Sequence, residues 1–380
     1  MHTASHPSPT FGAAGGRPSS RVRSGIIGLG FIGQVHARAV RAAGGVLAAV
    51  ADASADGIEA TADRLGALWG APSVDELIAS DDVDVVHVCT PNHLHAAIVR
   101  KVLAAGKHVI CEKPLATTAE DAAELAGLAR GAGVVAAVPF VYRYYPTVRE
   151  SRARLADGTA PVHLIHGSYL QDWLSTSRDQ NWRVDPALGG ASRTFADIGV
   201  HWCDLVEFAT GQRITALAAK LKTAVPQRVD GHESRSVTTE DAATLIFETD
   251  KGAIGSLVVS QVTPGRKNRL WFSLDGADVS LSFDQESPEA LWVGSRDGIS
   301  LVQRGVGQMA PDAQRLSVLP AGHPQGFQDC FSGLIGDVYA AVGGAVPSGM
   351  PTFDDGLRAA NLTSAVLRSS ATNSWVEVAA

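Results

Sequence analysis

Cysteine and methionine are scarce in these 380 residues, with four of one and three of the other. Cys89, Cys111, Cys203 and Cys330 form no C-x-x-C pair and sit among apolar or strand-like neighbours, so they read as buried, reduced thiols of a cytoplasmic protein. Long apolar runs are missing as well: nothing reaches the roughly 18 consecutive apolar residues of a membrane helix. A basic excess is also missing. With 32 Lys and Arg against 39 Asp and Glu the net charge is −7, and no basic stripe stands out, which argues against nucleic acid as a partner. Residues 1–22, rich in Pro, Gly and Ser, lack the charged start and apolar stretch of a secretory signal. They read as a disordered tail or an arm that grips a neighbouring subunit.

What is present is apolar mass, 45% of the chain, enough for more than one core at this length. From Arg23 to about Ala137, short apolar runs ("SGIIGLG", "GVLAAVAD", "VDVVHVCT", "KHVICEKP", "GVVAAVPF") alternate with helical stretches such as Ile32–Ala43, Ser54–Leu65 and His93–Ala105. That alternation predicts an α/β fold with a doubly wound parallel sheet over residues 23–145. After about Ala160, strand-like runs at 162–171, 216–225, 242–248, 253–262, 269–274 and 279–283 follow one another with few helices between. They predict a second domain, 146–380, built on a large, mostly antiparallel open sheet, with closing helices near 324–342 and 353–370. The last helix is free to pack back on the first domain.

"GIIGLGFIGQVHARA" sets Gly28, Gly30 and Gly33 as G-x-G-x-x-G between a strand and a helix, and Asp52 ends the next strand. Gly28 permits the tight turn, Gly30 lets the backbone approach a pyrophosphate, and Gly33 lets helix and strand pack closely. Phe31 and Ile32 lie inside this turn, where the helix N-terminus offers free N–H groups to phosphates. Asp52 suits ribose hydroxyls and repels a 2′-phosphate, and "DASADG" brings no Arg or Lys, so NAD is favoured over NADP.

Ligands of an open parallel sheet bind outside the carboxyl ends of its strands. Those ends carry "CEKPLA", with Glu112, Lys113 and a Lys113–Pro114 bond that is a candidate for the cis isomer. They also carry "TPNHLHA", with Thr90, Pro91, Asn92, His93 and His95. His93 and His95 are two apart, on different sides of a helix, and no other grouping has good metal spacing beyond Asp197 and His201, so no metal is expected. "FADIGVHWCDL" reads as a buried helix that nonetheless places Asp197 and His201 four apart on one face. Asp204, three residues on, suits a supporting partner or a solvated carboxylate.

These stretches, with "VYRYYP" and "NWRVDPALGG", resemble the glucose–fructose oxidoreductase/inositol dehydrogenase (Gfo/Idh/MocA) family, in the family's order from about residue 23 to 210. The resemblance implies a Rossmann domain followed by an α/β domain, and NAD(P)-dependent oxidation or reduction of a secondary alcohol, usually on a sugar or cyclitol. It makes Lys113 the catalytic lysine and Asp197 and His201 the Asp-x-x-x-His pair. It also implies a homodimer or homotetramer, for which the open sheet is the obvious interface. His201, with an ordinary pKa near 6.5, suits the base that removes the hydroxyl proton; Asp197 would hold the hydroxyl or orient the imidazole; Lys113 would stabilise the developing alkoxide. Lys113 and His201 could exchange roles as proton acceptor. Cofactor contacts fall to Gly28, Gly30, Phe31, Ile32, Gly33, Asp52, Thr90, Pro91, Asn92, His95, Glu112 and Lys113. Substrate contacts fall to Lys113, Asp197, His201, Tyr169, Trp182 and Arg183, since aromatic faces and hydrogen-bonding groups suit a pyranose or cyclitol. Gln171, Asp172, Trp173, Arg143 and Tyr144 are further candidates. Arg193, in "GGASRTFAD", would either meet an acidic substrate or fix a loop. The alternatives are an NADP-dependent keto-sugar reductase and a non-catalytic dinucleotide or sugar sensor on the same fold.

In a fluorescence titration NAD is expected to bind more tightly than NADP, and Asp52→Ser to narrow the gap by removing the charge that repels a 2′-phosphate. Tighter binding of NADP by the wild type would overturn the reading of Asp52.

Overall fold

The computed structural model describes residues 21–157, 161–230 and 233–379, so the tail assigned above lies, at 1–20, outside the described residues. The first half runs β1 (Arg23–Ile27), α1 (Phe31–Ala42), β2 (Val46–Ala51), α2 (Ile58–Leu65), β3 (Trp69–Gly70), α3 (Val74–Ala79), β4 (Val85–Val88), α4 (His95–Ala104), β5 (His108–Cys111), α5 (Ala119–Ala132) and β6 (Ala136–Ala137). All neighbours pair in parallel, in the order β3-β2-β1-β4-β5-β6. The chain order reverses between β1 and β4, and the crevice at their carboxyl ends is where such a sheet takes its ligand. β4 is buried at every position, as expected of a strand covered on both faces. Local chemistry sets the helix starts: Ser73 accepts from the Glu76 N–H ahead of α3, and Thr118 from the Asp121 N–H ahead of α5.

The second half opens with α6 (Pro146–Asp157), β7 (Val162–Leu170), α7 (Pro186–Gly189) and α8 (Val200–Thr210). Strands β8 (Ile214–Lys222), β9 (Gln227–Asp230), β10 (Glu233–Ser236), β11 (Ala242–Thr249), β12 (Ile254–Ser260), β13 (Arg269–Gly276), β14 (Ser280–Asp284), β15 (Ala290–Ser295) and β16 (Gly298–Gln303) follow. The chain closes with α9 (Pro311–Leu316), α10 (Phe327–Val342), α11 (Phe353–Thr372) and β17 (Val376–Glu377). Nine of these strands form one sheet, β16-β15-β14-β13-β7-β12-β11-β8-β17, antiparallel except for the β7–β12 pair. Along β11, Leu245 and Phe247 face in while Ile246 is exposed, the alternation of a one-sided sheet. The inner face is covered by α8 and α11; α11 also packs on α5, and α10 on α1, which ties the two sheets together.

The architecture matches the α/β reading, with local departures. "GVVAAVPF" pairs through only Ala136 and Ala137; Pro139 has no N–H to continue the ladder, and the chain turns into a short 3-10 segment at Val141–Tyr144. α2 starts at Ile58 rather than Ser54, because Gly57 is left-handed (φ 68°). The β9–β10 hairpin, with β10 wholly exposed, lacks the apolar alternation that marks a strand in sequence.

Candidate active site

The glycine turn has the form its sequence requires. Gly28 sits at φ 92°, and a Cβ there would meet the Cys89 and Thr90 backbone at 2.7–2.8 Å. A Cβ on Gly33 would lie 2.1 Å from the Gly28 carbonyl oxygen, so α1 seats on the turn only without a side chain. Gly30 is different: among the described residues nothing lies within 4 Å of its Cβ position, so its backbone stays open to a ligand. Among the described residues no side chain caps α1, and no acid occupies its first turn, which leaves its N-terminus open to an anion. Asp52 is exposed at the end of β2, accepting from the Leu29 N–H (3.1 Å) and the Ala53 N–H (2.8 Å). This loop therefore fits a dinucleotide.

A cleft of about 410 Å³ opens beside the turn, lined by Phe31, Ile32, Thr90, Asn92, His95, Glu112, Lys113, Tyr142, Tyr169, Gln171, Arg183, Asp197, Ile198, His201, Asn268 and Phe327. Lys113 follows β5, and its peptide bond to Pro114 is cis. Its Nζ donates to Asp197 Oδ1 (2.6 Å) and to the Asp197 carbonyl (3.0 Å). Gln261 Nε2 donates to the other carboxylate oxygen (2.7 Å), and Arg183 Nε lies 3.5 Å from Oδ1. Burial opposes charge on Asp197, but Lys113 and then Arg183 outweigh it and hold the carboxyl well below the usual range.

Here the helix geometry departs from the sequence reading. Phe195–Gly199 is a wide π turn ahead of α8, and a Cβ on Gly199 would strike the Phe195 ring at 2.4 Å. Both Asp197 oxygens are engaged elsewhere, so Asp197 does not orient the imidazole. His201 is walled instead by Tyr142 (ring centroids 4.9 Å) and Phe140 (5.6 Å), and its buried Nδ1 has no hydrogen-bond partner among the described residues. Burial, then Lys113, push its pKa well below 6.5, with Asp197 offsetting only part, so the imidazole is neutral.

The other candidates divide. Thr90 lines the cleft with its hydroxyl buried and unpartnered among the described residues, as a ligand contact would be. Asn92 borders the cleft but donates to the Gly189 carbonyl (3.0 Å), while Pro91, which precedes the 3-10 turn Asn92–Leu94, does not line the cleft. His95 borders the cleft but is fully buried, its ring nitrogens against the Pro114 (2.8 Å) and Thr90 (2.9 Å) carbonyls, so that it clamps two strand ends. Tyr169 lines the cleft, bonded to Tyr142 (2.6 Å) and Asn268 (2.7 Å). Burial raises the pKa of both phenols, Tyr142 to about 12, so neither serves as a base near neutrality. Trp182 is a correction: it lies in a separate surface pocket with Asn181 and Pro186, its ring under the Arg183 guanidinium (4.4 Å). Arg193 fixes a loop: it is buried against Asp241 and the Glu240 carbonyl. Arg143 pairs with Asp204 and Asp355, and Tyr144 donates to Asp337, so both point away from the cleft. Asp172 pairs with Lys267 at the surface, and Trp173 donates to Gln171. Sequence reasoning missed Tyr142, Gln261 and Asn268. Tyr142 lies within the quoted "VYRYYP", but nothing local distinguishes it from its neighbours.

Residues 22–140 match the profile of the oxidoreductase family with an NAD-binding Rossmann fold, and residues 148–282 match the GFO/IDH/MocA C-terminal domain. The levoglucosan dehydrogenase of Pseudarthrobacter phenanthrenivorans is 30% identical over 93% of this chain and 97% of its own. A levoglucosan dehydrogenase solved in complex with NADH and L-sorbose superposes with a TM-score of 0.89 at 29% identity, covering 95% of this chain and 99% of that one. An inositol dehydrogenase homologue complexed with NAD+ from Azotobacter vinelandii gives 0.85 at 27% identity, covering 94% and 98%.

His87, His95 and His201 are all buried with pKa lowered chiefly by burial. Unfolding lets each charge below about pH 6.5, so their stabilisation is complete above that pH and is lost as pH falls through it, by up to about 1.4 kcal/mol per pH unit for each histidine. Urea unfolding between pH 7 and 5 is expected to show this slope, and His201→Asn to reduce it; a flat profile would contradict the neutral assignment.

Proposed function

Because the chain belongs to the Gfo/Idh/MocA oxidoreductase family, we propose that it is an NAD-dependent dehydrogenase of a secondary alcohol on a sugar or cyclitol. The observation that carries this reading is the convergence of Lys113, Asp197 and His201 in one cleft beside the open glycine turn. Bound there, NAD supplies the hydride acceptor. Residues 23–145 hold it: the Gly28–Gly33 turn and the α1 N-terminus take the pyrophosphate, Asp52 the ribose hydroxyls, and Thr90 an inner polar contact. Residues 146–380 supply the rest of the substrate wall and the subunit contacts.

Lys113 donates to the substrate oxygen as negative charge develops on it. Asp197, itself held by Gln261, fixes where that ammonium points. His201 accepts the hydroxyl proton. Its low basicity suffices, because the hydroxyl becomes strongly acidic as the carbonyl forms, and it ensures that the proton is passed on. Tyr169, Gln171 and Asn268 offer a hydrogen-bonded wall for the remaining hydroxyls. Arg183 shares its charge with Asp197 and Arg193 is sequestered, so a neutral polyol fits better than an acid sugar. Relatives named for levoglucosan, inositol and xylose set the first compounds to try.

The outer face of the long sheet exposes Ile246, Ile254, Val258 and Leu164 on the adjacent strands β11, β12 and β7. We assign this patch to contact with a second copy of the chain.

Absorbance at 340 nm with NAD and a panel of neutral sugars and cyclitols is expected to show turnover, and Lys113→Met to lower kcat by about 10²–10³-fold. Cofactor binding without reduction across the panel would favour the sensor alternative. Light scattering is expected to give a dimer or tetramer that Ile246→Lys with Ile254→Lys dissociates; a monomeric wild type would remove the assigned interface.

A further inference from the structure

A second recess, of about 430 Å³, opens to the surface next to the cleft, and the mechanism leaves it unused. The two volumes share one short turn, the 3-10 segment Trp182–Val184. Arg183 lines the cleft, while its neighbours Asn181, Trp182, Val184 and Asp185 line the recess. Arg183 also joins them by contact. Its guanidinium lies over the Trp182 ring (4.4 Å), its Nε is 3.5 Å from Asp197 Oδ1, and its Nη1 donates to Asn181 Oδ1 (3.4 Å). The far wall of the recess is the β9–β10 hairpin, and it is firmly anchored. Arg228 on β9 is wholly buried and donates to the Leu174, Thr176 and Asp179 carbonyls (2.9–3.0 Å) and to Asp241 (3.0 Å). Gln180 Nε2 adds a bond to the Val229 carbonyl (2.9 Å). With β10 wholly exposed, this hairpin packs no core of its own; what its anchoring shapes is the recess.

Resting on the dehydrogenase reading, we propose that the recess is a second saccharide subsite: the substrate is a glycoside whose oxidised ring sits in the cleft and whose next sugar ring lies in the recess against Trp182. Each volume falls within the range of a small-ligand site, roughly 300–1,000 Å³. A pyranose presents apolar C–H faces and a rim of hydroxyls, and the recess offers a complement to both. Trp182 and Leu188 supply the apolar surface, and Trp182 is only half-buried. Asn181 turns its Oδ1 to the Arg183 N–H (3.1 Å) and to Nη1, which leaves its amide nitrogen to donate to a hydroxyl. Asp185 accepts the Ala187 N–H through Oδ1 (2.9 Å), which leaves Oδ2 to accept from one. Arg235 stands exposed at the rim, and the buried Nε of Arg228 has no hydrogen-bond partner among the described residues. Donors and an acceptor side by side suit hydroxyls, and the Asp185 carboxylate disfavours an anionic ring. Between the two rings the glycosidic oxygen passes the Arg183 guanidinium, a donor common to both volumes. The occupant of the recess thereby bears on the same arginine that faces Asp197.

Absorbance at 340 nm with NAD tests this by comparing methyl glycosides with disaccharides that carry the same terminal ring. The pairs are methyl β-glucoside with cellobiose, methyl α-glucoside with maltose, methyl β-galactoside with lactose, and methyl β-xyloside with xylobiose. At least one disaccharide is expected to exceed its methyl glycoside in kcat/KM by about tenfold or more, through a lower KM at similar kcat. Trp182→Ala removes the stacking surface and Leu188→Trp fills the recess, and each is expected to bring that ratio to within about twofold of one. The second variant keeps the indole, and so covers the case in which its loss lets Arg183 shift; thermal midpoint and NADH binding confirm that both are folded. Equal kcat/KM within all four pairs, or a ratio that survives in both folded variants, overturns the subsite and leaves the dehydrogenase intact. NAD reduction with monosaccharides or cyclitols alone does the same. A wild type that reduces NAD with no sugar or cyclitol overturns the functional reading, and the subsite with it.

Discussion

The ion pair between Lys113 and Asp197 is the contact on which the rest of the site depends. It joins the end of a strand in the parallel sheet to the wide turn that leads into the helix under the antiparallel sheet. Both partners are largely shielded from water, so their attraction is stronger than at a surface and losing either would strand the other. Such a pair contributes little net stability once desolvation is counted, and its value here is positional. The ammonium cannot swing away, the carboxylate stays ionised, and the neutral His201 beside them is kept from holding a proton. An ammonium, a carboxylate and a neutral imidazole thus share one cleft, the kind of grouping that marks a functional site.

The surrounding protein repeats that logic at longer range. Arg143 bridges Asp204 on α8 and Asp355 on α11; Arg358 on α11 reaches Glu207 on α8; Arg149 reaches Asp312. Each bond ties an element of the second sheet's helical layer to another, and α10 and α11 lean on α1 and α5 of the first. The cleft walls are therefore set by packing on both sides, and the glycine turn meets a cleft whose shape is already built. Preorganisation of this kind lets a donor act on developing charge without moving first.

A polar line crosses the first sheet: Glu112 meets His36, His36 meets His87, His87 meets Ser24, and Ser24 meets Tyr339. A parallel sheet presents its ligand at one end of the strands and ordinarily has only apolar contacts behind it. Here two imidazoles replace that core on one side, and Glu112 sits at the junction of the line and the cleft.

What the sequence by itself determined is what short-range physics encodes. Glycines at 28, 30 and 33, followed by an acid at 52, define a turn whose geometry depends on a few contiguous residues, and apolar periodicity marks strands and helices from a dozen positions at a time. Lys113, Asp197 and His201 were legible because they sit in short contiguous motifs, "CEKPLA" and "FADIGVHWCDL". Tertiary structure alone decided what those motifs face. Lys113 and Asp197 are 84 residues apart, and Gln261 reaches Asp197 from 64 residues away. Tyr142 enters the cleft while Arg143 and Tyr144 turn from it; His95 clamps backbone, Trp182 lies outside, and Arg193 vanishes into a loop. Those outcomes depend on strand register and on one wide helical turn, and no local pattern carries the register of strands that meet only after the whole chain has packed.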